Sequence, residues 1–310
     1  MLEETNNFSV RSLGHKEEWV YDLEVDKYHN FFGNDICVHN SCYINLNDLV
    51  KQIYKDNPES DLHKITKMLD RVCSTKLQDV IDESYDRLAI KMNAFGQRMF
   101  MKRECIADKA IWVAKKRYVL NVYDLEGVTY SEPVLKLSGI EAVRSSTPAS
   151  CRDSIKESLA IIMNKDEDHL QQYVKQFYEE FKKMSFEQIA FPRGITNIQD
   201  YTVSSGEIPK GTPIHARGSL LYNKIVEENN LHQYEKIGNG DKIRFCYLKT
   251  PNPYGSNVIA ALDELPKEFG LEQYIDYDMQ FEKAFVQPLS TIVDSIGWST
   301  EKKISIEDFF

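Results

Sequence analysis

A break in texture at residue 40 constrains this chain more than any other feature. Residues 1–40 read as strand and turn. Glu18-Trp-Val-Tyr-Asp-Leu-Glu-Val25 roughly alternates and holds Val, Trp and Tyr, and a turn around Asp26 to Asn30 comes next. Phe31-Phe32, a Gly33-Asn34-Asp35 turn and Ile36-Cys37-Val38 have the punctuation of a hairpin. Forty residues of short strands cannot bury a core alone, so the segment either docks onto the rest of the chain or completes a fold supplied by another chain. Charge breaks at the same point. Eight acidic and three basic side chains precede residue 41, giving -5 of the total of -10, and the other 270 residues share the remainder.

From Ser41 the pattern is mixed α+β and becomes helix-rich toward the end. Cys42 to Leu46 reads as a strand. Leu77, Val80, Ile81, Tyr85, Leu88 and Met92 recur at steps of three and four, the spacing of an amphipathic helix. Arg98 to Asp124 reverts to strands. Ser145-Ser-Thr-Pro148 predicts a helix start with Ser or Thr as the cap. Two helices come after it, burying Ile155, Leu159 and Ile162 on one, and Leu170, Tyr173, Val174, Phe177 and Phe181 on the other. Phe191 to Pro213 is expected to be loop, Ile214 to Asn229 helix, Lys242 to Leu248 strand and about 262 to 296 helical.

Several function classes fall away. No apolar run exceeds five residues, so no membrane-spanning helix is expected. The acidic Met-Leu-Glu-Glu start is unlike a signal peptide. Six cysteines without a CxxC pair predict a reduced, cytosolic chain rather than a disulfide scaffold or zinc module. The acidic total argues against indiscriminate nucleic-acid binding but leaves room for local basic clusters.

His39-Asn40-Ser41 lies at the break. With Val20-Tyr-Asp-Leu-Glu-Val25, His29-Asn-Phe-Phe32 and Asn34-Asp-Ile36 ahead of it, it resembles the two C-terminal motif blocks of inteins in order and spacing. The resemblance implies that residues 1–40 are a short all-β C-intein segment, part of a Hint-type fold completed in trans, and that Ser41 begins the extein. The side-chain amide of Asn40 can attack its own backbone carbonyl and cut the chain after it, and His39 can supply the proton or hydrogen bond that step needs. In the family the Ser41 hydroxyl first receives the N-extein as an ester, which requires activation of a weak nucleophile. Asp22 and His29 match the positions that assist these steps. The family's first nucleophile has no counterpart here, which implies one half of a split intein or a shortened contiguous one. An acidic segment pairs best with a basic partner.

Ser41-Cys-Tyr-Ile-Asn-Leu46 resembles the strand that comes after the Tyr-Gly-Asp-Thr-Asp core of family B DNA polymerases. Met99 to Ala107, Trp112 to Asp124, Glu132-Pro-Val-Leu-Lys136, Ser145 to Pro148, Pro213 to Asn223 and Asn252-Pro-Tyr-Gly255 are similar to the palm-to-thumb part of tailed-phage replicative polymerases. The resemblance implies a C-terminal palm portion over 41–130, a mostly helical thumb over 131–300 and a sliding-clamp-binding tail over 301–310. Lys115, Lys116, Arg117 and Tyr118 match the motif for primer–template contact, cations for phosphates and Tyr118 near the primer end. His215, Arg217, Tyr222, Asn223 and Lys224 fall in the region that grips duplex, with surface or capping roles equally open. Glu104 aligns near the metal site, yet Lys102 two residues earlier makes a structural ion pair an equal reading. Ile306, Phe309 and Phe310 match the anchors of a clamp-binding peptide.

Asp-Thr-Asp, the exonuclease carboxylates and the fingers motif are absent from this sequence. Mg2+ and the aspartates that hold it are therefore expected on an N-terminal partner. The implied function is a precursor of a split DNA-directed DNA polymerase, active on dNTPs and primer–template DNA once joined. The rival is a non-splicing DNA- and clamp-binding accessory held to its partner noncovalently.

Overall fold

The computed structural model describes residues 20–25, 30–33, 36–39, 41–114, 116–201, 209 and 211–302, residues before 43 by their backbone. They form two compact units, 1–138 and 139–310. The fold is mixed α+β with small antiparallel sheets.

The first unit runs β1 (Val20–Val25), β2 (Asn30–Gly33), β3 (Ile36–His39), β4 (Ser41–Asn45), α1 (Asn47–Asp56), α2 (Leu62–Val72), α3 (Gln78–Lys91), β5 (Met101–Ala114), β6 (Arg117–Leu125) and β7 (Val128–Ser138). Its main sheet has the order β4-β1-β5-β6-β7, and β2 and β3 pair as a separate hairpin. Of the two fates open to residues 1–40, the described strand β1 shows docking. It pairs antiparallel with β4 on one side and β5 on the other, with Glu24 opposite Ser41 and Asp22 opposite both Tyr43 and Cys105.

Both faces of the sheet carry buried side chains. Ile106 and Tyr123 pack on Val50, Ile53, Ile65, Leu69 and Tyr85 from the helices. The neighbours of Ile106 along β5, Cys105 and Ala107, pack with Leu120 and Val122 instead, as the two-residue strand period demands. The largely buried Arg103 is paired on two sides. Arg103 binds Asp124, and its other nitrogen lies 2.6 Å from Asp70 on α2, which ties β5 to β6 and to the helical layer. Burial alone would lower the Arg103 pKa, but the carboxylates of Asp124 and Asp70 outweigh it and leave it above the ordinary value. Asp124 also accepts from Gly127 N and from the Thr129 hydroxyl at 2.9 Å, closing the β6–β7 turn.

The second unit holds α4 (Ala149–Asn164), α5 (Glu167–Phe181), α6 (Phe186–Ile189), β8 (Phe191–Gly194), α7 (Ile214–Glu228), β9 (Lys242–Tyr247), β10 (Val258–Ala261), α8 (Tyr277–Phe281) and α9 (Gln287–Val293). Phe177 and Phe181 of α5 interlock with Phe281 and Phe285, the Phe177–Phe285 centroids 4.8 Å apart and Phe181–Phe281 5.2 Å. Fully buried Gln280 donates to Ile189 O at 2.6 Å and accepts from Tyr247 N at 3.2 Å. A buried amide is satisfied there while α8 is tied to β9.

Two expectations are corrected, and one strand is found where none was assigned. Helix α4 starts one residue later than Ser145-Ser-Thr-Pro148 predicts: Pro148 is the cap, extended at ψ 143°, no side chain caps the helix, and Arg152 N makes the first turn's bond to Pro148 O. Helix α7 starts likewise after Pro213. Residues 191–213 are not all loop. Strand β8 lies there at a sheet edge, where Pro192 removes no ladder bond the fold requires. The apolar run after Asn257 is strand β10, buried throughout, and short buried runs carry no period that separates strand from helix.

Gly218 lets α7 lie directly on β10. A Cβ there would sit 2.8 Å from Ala260 N and 2.9 Å from Ile259 C, both backbone atoms that cannot swing away. Gly218→Ala should therefore lower stability by about 1–3 kcal/mol despite alanine's better helix propensity. Urea denaturation would read this as a lower midpoint at an unchanged slope.

Candidate functional site

The expected nucleic-acid contacts fall into two places, one in each unit. In the first, β5 and β6 form a hairpin in which Trp112 is opposite Tyr118 and Ala114 is opposite Arg117. Lys116 takes the left-handed conformation at the turn, φ 63°, and its carbonyl accepts from the Ser138 hydroxyl at 3.2 Å. The turn thus presents Lys116 to solvent with Arg117 beside it. Lys115 lies outside the described residues.

Aromatic rings flank these cations. Tyr43 of β4 stacks on Trp112 at 4.9 Å between centroids and 25° between planes, and Trp112 meets Tyr118 at 5.3 Å and 54°. Tyr43 is 51% exposed and Trp112 40%, high values for large rings that pack on one another. Exposed π-faces beside cations can hold bases or sugars while the cations neutralise phosphates. The sequence singled out Lys116, Arg117 and Tyr118 as contacts but neither Trp112 nor Tyr43. Nothing local marks Tyr43, because its stacking partner lies sixty-nine positions away. Glu104 forms an ion pair with Lys136 on β7. That is the structural one of its two expected readings.

In the second unit, α7 separates the five expected residues by face. Tyr222 is 3% exposed and packs against Phe269 at 5.2 Å, so its ring belongs to the core. Asn223 donates to Ile237 O at 2.8 Å and accepts from Ile237 N at 2.7 Å, so its amide braces a loop. Sequence spacing alone does not reveal which of these polar groups has an internal partner. Lys224 is exposed and lies 3.7 Å from Glu228 one turn on. The Arg217 Nε is buried with no hydrogen-bond partner among the described residues, a donor that an anionic ligand could satisfy. His215 is half-buried beside Phe245, and burial, with the Arg193 charge adding to it, lowers its pKa from 6.5. The shift favours the neutral ring, which can offer phosphate a hydrogen bond but no charge.

Asn40, His29, Ile306, Phe309 and Phe310 lie outside the described residues. Asp22 is on β1, His39 is opposite Asn30 in the β2–β3 hairpin, and Ser41 opens β4. Among the described residues no group of three or more His, Cys, Asp or Glu is placed to hold a metal ion. The described donors therefore do not fit a Mg2+ site. No helix among them is long and apolar enough to cross a membrane. Cys73, Cys105, Cys151 and Cys246 are buried and in no disulfide, and burial pushes the Cys151 thiol up to about 12.

No family model matches the sequence. The chain is 31% identical over 282 residues to a DNA-directed DNA polymerase of Enterobacteria phage T4 and 31% identical over 283 residues to that of Escherichia phage RB69. Each match covers 87% of this chain and 31% of the relative, so the chain spans about a third of these polymerases' length. A DNA polymerase of Thermococcus aggregans is 22% identical over 287 residues, 91% of this chain and 13% of that protein. This homology to family B DNA polymerases over most of the chain supports a polymerase fragment.

The lowered pKa of His215 has a stability consequence. As pH falls through 6.5 the unfolded chain takes up a proton before the folded one does, so stability should rise with pH between the lowered folded value and 6.5. Denaturation midpoints from pH 5 to 7 should show this rise in the native chain. The slope should be smaller in His215→Gln, and the NMR titration midpoint of His215 should lie below 6.5.

Proposed function

We propose that this chain is the C-terminal precursor of a split, phage-type DNA polymerase, in which residues 1–40 remove themselves while joining residues 41–310 to an N-terminal fragment. The observation that carries the reading is the extent of the match. The phage DNA-directed DNA polymerases align with 87% of the chain, so most of residues 41–310 lies within each match. The Thermococcus aggregans match covers 91%, so it takes in at least about a dozen positions of the first forty.

In this reading the partner fragment is first carried to the Ser41 hydroxyl as an ester. The Asn40 side-chain nitrogen then attacks the Asn40 carbonyl carbon, the peptide bond to Ser41 breaks, and the Ser41 amine leaves with a proton that His39 helps deliver. Asp22 orients or takes protons at the Ser41 step, and His29 acts near Asn40. The freed amine attacks the ester and leaves residues 41–310 amide-linked to the partner. Residues 41–130 then complete the palm and residues 131–300 act as the thumb. The partner brings the Mg2+ ligands and binds dNTPs. Lys115, Lys116, Arg117 and Tyr118, with Tyr43 and Trp112, contact primer–template DNA, and Arg217, His215 and Lys224 add contacts from α7. Ile306, Phe309 and Phe310 anchor the tail in a sliding clamp. The assembly works in a reducing cytosol.

The docking of β1 into the main sheet favours a second reading, in which residues 1–40 stay attached and the chain serves its partner noncovalently. Intact mass spectrometry after mixing with the N-terminal fragment separates the two. Splicing predicts a joined species and a released 1–40 segment, both abolished by Asn40→Ala. Unchanged masses with demonstrable binding would establish the second reading.

The interface makes its own prediction. Lys116→Ala with Arg117→Ala should weaken primer–template binding by the joined protein similarly across sequences. It should also flatten the dependence of log K on log salt by about two, roughly one per lost phosphate contact. Trp112→Ala should weaken binding with little change in salt slope.

A further inference from the structure

We infer that β1 is a stand-in strand: it fills a slot in the main sheet that, after joining, is taken by the partner segment ending at the residue linked to Ser41. This rests on the splicing reading for the identity of the new occupant, and on the sheet alone for the slot.

The sheet order is β4-β1-β5-β6-β7, so within this sheet β4 is held only through β1. Five positions of β4 and six of β5 face β1. Those β5 positions include Met101, Cys105, Ile106 and Ala107, each at most 2% exposed. Loss of residues 1–40 would detach β4 and open the backbone of a core strand. A row of unpaired N–H and C=O groups beside buried side chains demands another strand.

Direction and register point to the occupant. β1 runs antiparallel to β4, and its far end, Glu24, is opposite Ser41. A segment joined directly to Ser41 and turning back through a tight hairpin would run antiparallel to β4 and end beside Ser41. It would therefore have the direction and position of β1. In the precursor the two strands are instead separated in sequence by residues 26–40, including the β2–β3 hairpin. Joining would replace that long connection with a simple turn between neighbouring strands, the arrangement adjacent strands favour. The occupant must be extended, about five or six residues long and free of proline, because both its edges make ladder bonds. One strand cannot fill this slot and also serve the completed intein, so β1 leaves as the partner enters.

Two measurements on the full-length chain test this. Leu23 is opposite Cys42 in the β1–β4 register. In a Cys37→Ser background, Leu23→Cys oxidised with glutathione disulfide should form a 23–42 bridge, absent when Cys42→Ser is added, and the buried thiols of Cys73, Cys105, Cys151 and Cys246 should not compete. With β1 locked, the joined product should appear at least tenfold more slowly and recover its rate in dithiothreitol. A locked chain that joins as fast as the reduced one would overturn the exchange of strands.

The second measurement is hydrogen exchange in Leu23→Pro without any partner. Amides of 41–45 and 101–107 should exchange at least tenfold faster, while those of β6 and β7 facing each other keep their protection. Unchanged rates would show that β1 does not fill the slot, whatever the splicing result. If the unaltered chain gives no joined product, the splicing reading fails and the replacement step falls with it, while the exchange data still decide the slot.

Discussion

The first unit depends on the backbone edges of β5. This fourteen-residue strand has buried side chains on both faces, so it needs a hydrogen-bonding neighbour along each edge. Its own hairpin supplies β6. The other neighbour, β1, comes from the acidic segment that differs from the body in charge and texture. Arg103, held between Asp124 and Asp70, fixes where β5 lies against β6 and α2, and a half-satisfied version of that buried cluster would be costly.

Function and folding use the same polar vocabulary in this chain. At the β5–β6 turn, Lys116, Arg117 and the stacked rings of Tyr43, Trp112 and Tyr118 combine cations with partly exposed aromatic faces. On α7, residues of the same types serve the fold, Tyr222 against Phe269 and Asn223 on Ile237. Within α7, what separates Asn223 from Arg217 is that the Asn223 amide has an internal partner and the Arg217 Nε has none among the described residues. The orphaned Nε of Arg217 stands on the ligand side of that division, among the described residues.

The segment before Ser41 presents two faces of one problem. In the proposed reading its motifs serve its own removal, and its first described strand lies within the sheet of the body it would then leave. A sheet slot that must be occupied both before and after joining reconciles them, because a strand position is defined by backbone bonds and accepts any extended segment of the right direction.

Local pattern was enough for the elements whose periodicity is long and uninterrupted: α3 within the stretch from Leu77 to Met92, the two helices after Pro148, α7, and the strands around Trp112 and Tyr118. It was also enough for the break at residue 40, since charge and texture are local properties, and for the similarity to DNA polymerases. Long-range packing alone settled that β1 separates β4 from β5, that Tyr43 stacks on Trp112, that Glu104 pairs with Lys136, and that Tyr222 and Asn223 are internal. Strand β10 and the edge strand β8 were likewise hidden, one buried throughout and one interrupted by Pro192. The physical reason is common to all of these. A helix is closed by bonds four residues apart and shows in a short window, whereas a sheet neighbour, a ring stack or an ion pair is chosen among all distant candidates by packing that no short window contains.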